Sequence, residues 1–303
     1  MNISIICPLY NAEKYIVNLD NSIKIQKAVE LISIKYILTE SNDNTESILK
    51  QLNASYKKVP REKFSHSIVR EQAAFEAEGD IIVFITQDVI IKDDMWLHKL
   101  VSPIICGEVD AAFSRQICDN NSIEKYIREK NYPKESRVMT SADIERLGLI
   151  TFFFSDVSSA IRRDVFIKMS GYDGKNLITN EDMYISYKMI TNGYNVKYCS
   201  DSVVVHSHDF TLMQLLRRYF DTGVFLKQNS YLLNFKVNKG GMDLLKYSLK
   251  HALKEKNIKV LINLIPNFAA RFIGSALGKR YDKLSKRLRI YLSSNKSYWL
   301  SQE

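Results

Sequence analysis

Three runs of large, often β-branched residues, each closed by a polar side chain, constrain this chain most. They are "ISIICPLYN" (3–11), "IKYILTES" (34–41) and "IIVFITQD" (81–88). Helix-patterned stretches separate them: Tyr15, Ile16, Leu19 and Ile23 recur at helical spacing, and "IVREQAAFEAEGD" reads as a short helix ending at Gly79. Apolar strands alternating with helices predict an α/β fold, a mainly parallel mixed sheet flanked by helices. Such sheets place ligands at the carboxyl ends of their strands, where Asn11, Glu40 and Asp88 fall. The first strand is expected to break at Pro8, because proline cannot donate to a central ladder.

Further along, "DAAFSRQI" continues the core, and the polar stretch 119–143 reads as a loop or mobile helix. "LITFFFSDVSSAIRRDVF" resumes the core, "NEDMYISYKMITNGY" is a helix opened by acids, and "NVKYCSDSVVVHSHD" is a strand ending in histidines. From Thr211 the pattern is helical and increasingly basic. The net charge of +9 lies wholly in residues 240–303, which hold 13 Lys/Arg against 4 Asp/Glu. The expected organisation is therefore a catalytic-type unit over 1–239, with halves 1–115 and 116–239, and a basic, amphipathic helical C-terminal region over 240–303. That tail suits an anionic membrane surface, with a cap on the core or a homodimer contact as the alternative uses. Its longest uncharged stretch, Val260 to Ala270, is too short to cross a bilayer and contains Pro266. The four dispersed cysteines suggest neither zinc nor disulfides, and the N-terminus does not look like a signal peptide, so a cytoplasmic location is expected.

No G-x-G-x-x-G occurs, which argues against a dinucleotide dehydrogenase. "GSALGK" (274–279) is one residue short of a phosphate loop, lacks the following Ser/Thr and follows no strand. Asp88 offers a hard oxygen ligand at a strand end, and His206 and His208, alternating at the end of another strand, should point to one face. Glu181 and Asp182 open a helix on the same expected rim. Arg217 and Arg218 follow the histidines and offer guanidinium forks for a diphosphate. His66 and Arg70 precede the Asp88 strand, so basic groups bracket an acidic centre. A nucleic-acid-binding protein is the competing class for a basic chain. Residues 1–239 are neutral, however, and no helix-turn-helix, zinc finger or aromatic RNA platform is present.

Taken in order, "ICPLYNAEKYI", "FSHSIVREQAAFEAEGDIIVFITQDV", "FSRQI", "FFFSDVSSAIRRDVF", "GYDGKNLITNEDMYISYKMITNGYNVKY", "VVVHSHDFTLMQLLRRYFDTG" and "LGKRYDKLSKRLRIYLSSNKSYW" resemble bacterial rhamnosyltransferases of glycosyltransferase family 2. The resemblance spans nearly the whole chain. It implies a GT-A fold, a nucleotide-sugar donor, a divalent cation (Mg²⁺ or Mn²⁺) and inversion at the anomeric carbon. Where the family usually carries D-x-D this chain has Thr86-Gln87-Asp88, so only Asp88 matches the metal ligand. Gln-Asp at this place resembles rhamnosyl-type members, favouring dTDP-L-rhamnose over a UDP-hexose donor.

The same resemblance implies that Pro8, Tyr10, Asn11, Glu40, Arg70, Gln87 and Asp88 line the donor nucleotide site. It implies diphosphate contacts from Arg217, Arg218 and Tyr219, acceptor contacts from Ser155, Asp156, Ser158, Ser159 and Glu181, and Asp182 as catalytic base. With the first acid of the pair absent, His206 or His208 is the expected extra metal ligand. The expected acceptor is a saccharide, lipid-linked, used in cell-surface polysaccharide synthesis by an enzyme peripheral on the inner face of the cell membrane.

Overall fold

The computed structural model describes residues 1–236 and 240–301. Eight strands form one sheet: β1 Asn2–Leu9, β2 Glu30–Thr39, β3 Tyr56–Val59, β4 Ile81–Ile85, β5 Ala111–Ile117, β6 Arg137–Met139, β7 Ser158–Arg162 and β8 Val196–Val205. Their order is β3-β2-β1-β4-β7-β5-β8-β6. The pairs β1–β2, β2–β3, β1–β4 and β5–β8 are parallel, whereas β7 is antiparallel to both β4 and β5, and β6 to β8. The mixed α/β sheet read from the sequence is therefore observed, and it runs without interruption through residues 1–115 and 116–236.

Both faces of the sheet are covered, which is why its strands are apolar on successive residues. In β1, Ile3, Ile5, Cys7 and Leu9 face a layer that includes Ile16, Leu19, Ile23, Trp96 and Leu97. Ile6 belongs to the opposite core, with Phe84, Phe113, Phe166, Ile185 and Phe220. The strand β1 does not break at Pro8. Its pairing with β4 ends at Ile6 and Phe84, so no ladder bond to β4 is asked of the proline. The polar stretch 119–143 is more ordered than its composition suggests, holding a helix Ile123–Asn131, capped by Ser122, and the strand β6. The helix survives because its buried side, Ile123, Tyr126 and Ile127, packs under Val260 and Leu264.

The C-terminal region joins the rest of the chain in two ways. Leu292, Tyr298 and Trp299 enter the main apolar core, and Asp221 accepts hydrogen bonds from Ser293 Oγ (2.6 Å) and the Ser294 and Asn295 amides (2.9 and 3.2 Å). The helix Ile258–Gly278 lies along the helix Leu212–Gln228 at backbone contact. A Cβ on Gly274 would sit 2.3 Å from the Leu216 carbonyl oxygen, and one on Gly278 would sit 2.0 Å from that of Phe220. These glycines of "GSALGK" thus permit helix packing. The boundary expected at residue 239 lies outside the described residues.

The helix Ile258–Gly278 runs through Pro266 for 21 residues and is, by length and composition, apolar enough to cross a membrane. That differs from the expectation based on the uncharged stretch alone, because the helix extends beyond that stretch at both ends and takes in Lys259 and Arg271. Gly274→Val should lower the urea midpoint, with a loss of about 1–3 kcal/mol in unfolding free energy from overpacking a close contact. Equilibrium denaturation followed by circular dichroism checks this.

Candidate active site

The centre of the site is assembled by two backbone hydrogen bonds. Ile90 and Val205 exchange N–H···O bonds of 2.9 Å in each direction, joining the loop after β4 to the last residue of β8. Asp88 precedes this bridge by two residues and His206 follows it by one. The histidines lie beyond the strand, so their convergence comes from the 206–208 loop rather than from strand alternation. The Asn120 amide and Ser122 hydroxyl hold that loop, each donating to the His208 carbonyl at 3.2 Å.

Asp88, His206 and His208 each bring one ligand atom within 4.8 Å of the others. The Nε2 atoms of the two imidazoles are 2.8 Å apart, and Asp88 Oδ2 lies 3.4 Å from His206 Nε2 and 3.7 Å from that of His208. Burial lowers both histidines, His208 to about 4. Burial would raise Asp88, but the His206 hydrogen bond and the charges of both rings hold it below the usual carboxylate range. Near neutral pH the set is one carboxylate and two neutral imidazoles, the protonation state in which these groups bind a divalent cation.

Behind His206 lies Gln116, at the carboxyl end of β5. His206 Nδ1 is 3.0 Å from Gln116 Oε1 and 3.1 Å from Arg128 Nη2. An acceptor and a donor are both in reach, so either tautomer finds a partner. The Nδ1–H form, donating to Gln116, leaves the Nε2 lone pair facing Asp88 and available to a metal. The Gln116 amide nitrogen donates to the Tyr132 hydroxyl (2.7 Å) and Ser155 Oγ (2.8 Å). Arg128 hydrogen-bonds the Gln116 carbonyl and lies 5.7 Å over the Tyr132 ring. Gln116, Arg128 and Tyr132 are missing from the expected site. Gln116 could have been found, since it ends a predicted strand. Arg128 and Tyr132 lie in the stretch read as a loop or mobile helix, from which no individual site residue is expected.

Asp182 sits in the first turn of the helix Glu181–Thr191, with its Oδ1 2.8 Å from the Met183 amide. Burial and the neighbouring charges of Glu181 and Asp156 push its carboxyl well above the usual range, opposed by that amide and by Arg70. Arg70 is buried, ion-paired with Glu181 and 4.0 Å from Asp156. Three acids thus share one guanidinium. Arg70, expected at the donor nucleotide, is held by these acids and lies 5.9 Å from the centre of the Phe84 ring. Glu71, beside it, accepts from the backbone amides of Tyr172 and Gly174 and so holds the "GYDG" turn.

Other expected residues separate into those on the cleft and those beneath it. The Gln87 amide bonds both backbone groups of Tyr10, accepting from its N–H (2.8 Å) and donating to its carbonyl (2.9 Å). Gln87 therefore ties the β1 and β4 loops together, with its amide committed. Asn11 holds φ of 48° and links across to the β2 loop through Ser41 Oγ (2.9 Å) and the Asn42 amide (3.2 Å). Tyr10 and Glu40 are exposed on the same rim. The Arg61 guanidinium covers the Tyr10 ring at 5.3 Å, and the Arg61 amide donates to Glu40 at 3.4 Å.

Arg218 stacks over Phe210 at 4.8 Å, and Phe210 in turn stacks on His208 at 4.7 Å. Arg218 is exposed, and its charge is felt at His66, His206 and His208, which places it on the cleft wall by the metal triad. The adjacent expectations are corrected. Arg217 turns to the tail, donating to the Tyr291 carbonyl at 3.0 Å, and the Tyr219 hydroxyl accepts from Arg271 at 2.6 Å inside the helix pair. Successive residues of a helix point about 100° apart, so one of the three faces the cleft.

Ser155, Asp156, Ser158 and Ser159 are all buried, so they form a floor and do not offer an acceptor surface. Ser158 lies in a polar knot with Ser114 Oγ (2.6 Å) and Trp96 Nε1 (3.2 Å). Asp156 accepts from Ser159 Oγ (2.8 Å) and the Tyr172 hydroxyl (2.9 Å). Pro8, within β1, underlies the Tyr10 turn.

Comparisons with known proteins bear on the family and the fold. The family model described as "Glycosyl transferase family 2" matches residues 4–170. The O-antigen chain rhamnosyltransferase RfbN of Salmonella typhimurium is 34% identical over 305 residues, covering 99% of this chain and 96% of the relative. WbaN of Salmonella anatum, another O-antigen chain rhamnosyltransferase, is 33% identical, with 86% and 84% covered. Among solved structures, the mannosyltransferase PcManGT of Pyrobaculum calidifontis, in complex with GDP-Man and Mn²⁺, superposes with a TM-score of 0.60 at 17% identity, covering 93% of this chain and 88% of its own. S. aureus TarS 1–349 gives 0.58 at 18% identity, with 99% and 89% covered. At such identities the likeness shows a shared GT-A-like fold.

Gln116→Leu removes the Nδ1 acceptor of His206 without touching a ligand atom. Mn²⁺ affinity should fall by about 10- to 100-fold, read by calorimetric titration of the metal alone.

Proposed function

The chain belongs to glycosyl transferase family 2, a family of sugar-transferring enzymes, and we propose that it moves L-rhamnose from dTDP-L-rhamnose to a saccharide acceptor in O-antigen-type polysaccharide synthesis. The observation that carries the proposal is the similarity, along nearly its full length, to two rhamnosyltransferases of O-antigen chains. The acceptor is lipid-linked, and the enzyme works at the inner face of the cell membrane as a peripheral protein. The basic tail supports this reading.

Transfer with inversion needs a base for the acceptor hydroxyl and stabilisation of the departing diphosphate. Asp182 takes the base role. Its raised proton affinity, set by burial and by Glu181 and Asp156, brings the carboxylate nearer the strength that proton abstraction at neutral pH favours. Asp88, His206 and His208 would hold Mn²⁺ or Mg²⁺, which when bound would neutralise charge on the diphosphate. Arg218, on the same wall, adds charge-assisted hydrogen bonds to the phosphates. Tyr10, Asn11 and Glu40 form the rim for the nucleoside, with Arg61 joined to them. Gln87 acts from behind by fixing the Tyr10 turn.

Incubation with dTDP-rhamnose, UDP-glucose, UDP-galactose and UDP-N-acetylglucosamine in parallel, with nucleotide release measured, tests the donor. Release from dTDP-rhamnose alone is expected, and preference for a UDP-sugar would replace the proposal with a hexosyl transfer.

Asp182→Asn should abolish turnover while leaving nucleotide binding intact. The same substitution should raise the thermal midpoint at neutral pH. A carboxyl whose proton affinity is raised by folding supports the fold when protonated and opposes it once pH exceeds its unfolded value. In the active enzyme the acid limb of kcat/KM should lie above the ordinary carboxylate range. Glu181→Gln, which removes a like charge and frees Arg70, should move that limb to lower pH.

A further inference from the structure

The helix Ile258–Gly278 buries one side and leaves the other apolar in solvent. Ile258 is 68% exposed, Ile262 70%, Ile265 66% and Phe272 76%. At 3.6 residues per turn these four fall within one narrow stripe, about 21 Å long at 1.5 Å per residue. The preceding helix, Gly240–Lys254, adds Leu249 and Leu253, exposed at 41% and 57%. Large apolar side chains in line on a helix are a docking surface far more often than isolated ones.

The charge around the stripe selects its partner. Lys250, Lys254, Lys256 and Lys259 stand exposed at one end, and Lys279 and Arg280 at the other. A second copy related by a two-fold axis would set this self-same basic border against itself. An anionic lipid surface complements it, with apolar side chains entering the acyl boundary and ammonium groups at headgroup level. Crossing the bilayer is opposed by the buried side. There Arg271 is ion-paired with Glu124, and Gly274 and Gly278 are locked against the neighbouring helix.

The stripe also begins at the mouth of the site. Lys259 Nζ is 3.1 Å from Asp209 Oδ2, the residue after His208, and Asn257 donates to the Asn121 carbonyl at 3.2 Å. Leu212 and Met213, just beyond the histidine loop, are exposed at 45% and 40%.

We propose that Ile258, Ile262, Ile265 and Phe272 form an in-plane face that seats the enzyme on an anionic bilayer with the metal triad at the membrane edge. This deepens, and rests on, the reading of a lipid-linked acceptor, since an acceptor held in the bilayer then enters the cleft without leaving the lipid.

Flotation of the full chain with vesicles of phosphatidylcholine, or of phosphatidylcholine with phosphatidylglycerol, tests the face without requiring turnover. Binding is expected only to the anionic vesicles. Ile262→Glu/Phe272→Glu should cut it at least about tenfold, as charge replaces buried apolar area. Circular dichroism and Mn²⁺ titration of that variant should match the parent, showing the fold and the triad intact. Equal binding of variant and parent would overturn the proposal. So would a dimer, seen by light scattering, that the same substitutions dissolve in protein that ignores vesicles. Failure of the rhamnosyl reading would appear separately, in the donor panel.

Discussion

The two hydrogen bonds between Ile90 and Val205 hold the chemistry of this protein together. Asp88 follows a strand in the first half of the chain, and His206 follows one more than a hundred residues later. Neither strand touches the other, since β7 and β5 lie between them. The bridge draws the loop after β4 across those two strands to the end of β8. Its reach depends in turn on the register shift of β8 against β5, after which Val203 to Val205 pair with Arg115 to Ile117. That shift is stabilised in the core by Ser202, which bonds Ser114 Oγ and the Trp96 carbonyl. A satisfied polar knot inside an apolar layer thus sets where the histidines stand, because a slip there would leave buried hydroxyls unpaired.

A second constraint governs the acidic side. Asp156, Glu181 and Asp182 crowd round Arg70, and one buried guanidinium cannot neutralise three carboxylates. The deficit falls on Asp182 and Asp156, both of which keep a proton more tightly than an ordinary aspartate. Local stability is given up where these acids are held together. The metal side shows the reverse balance, in which burial removes charge from the imidazoles and their proximity maintains it on Asp88. The two sides are connected through Gln116 and Tyr132, since Tyr132 feels the Asp182 charge while Gln116 faces His206.

Much of this was legible in the residues because it depends on local pattern. Strands at 3–9 and 81–85, their polar ends, the acidic helix start at 181 and the histidine pair all follow from periodicity and from the chemistry of single side chains. The resemblance to rhamnosyltransferases added the order of the motifs. Reading went astray where orientation decides. Arg217, Arg218 and Tyr219 look equivalent in sequence, yet the helix sends one to the tail, one to the cleft and one to Arg271. Ser155, Asp156, Ser158 and Ser159 look like an acceptor loop, yet they are buried at and just before the start of β7, which lies inside the sheet. Gly274 and Gly278, in a stretch that falls short of a phosphate loop, allow two helices to touch, a role that no local pattern announces.

By itself the sequence determined which elements form and which side chains could carry charge, metal or proton, because those properties belong to short stretches. Only the tertiary structure decided which of those side chains meet. The triad needs strands more than a hundred residues apart, Gln87 needs Tyr10 across a strand pair, and Arg70 needs Glu181 from 111 residues away. Such pairings arise from sheet order and register, which depend on how the whole chain packs and which no local pattern encodes.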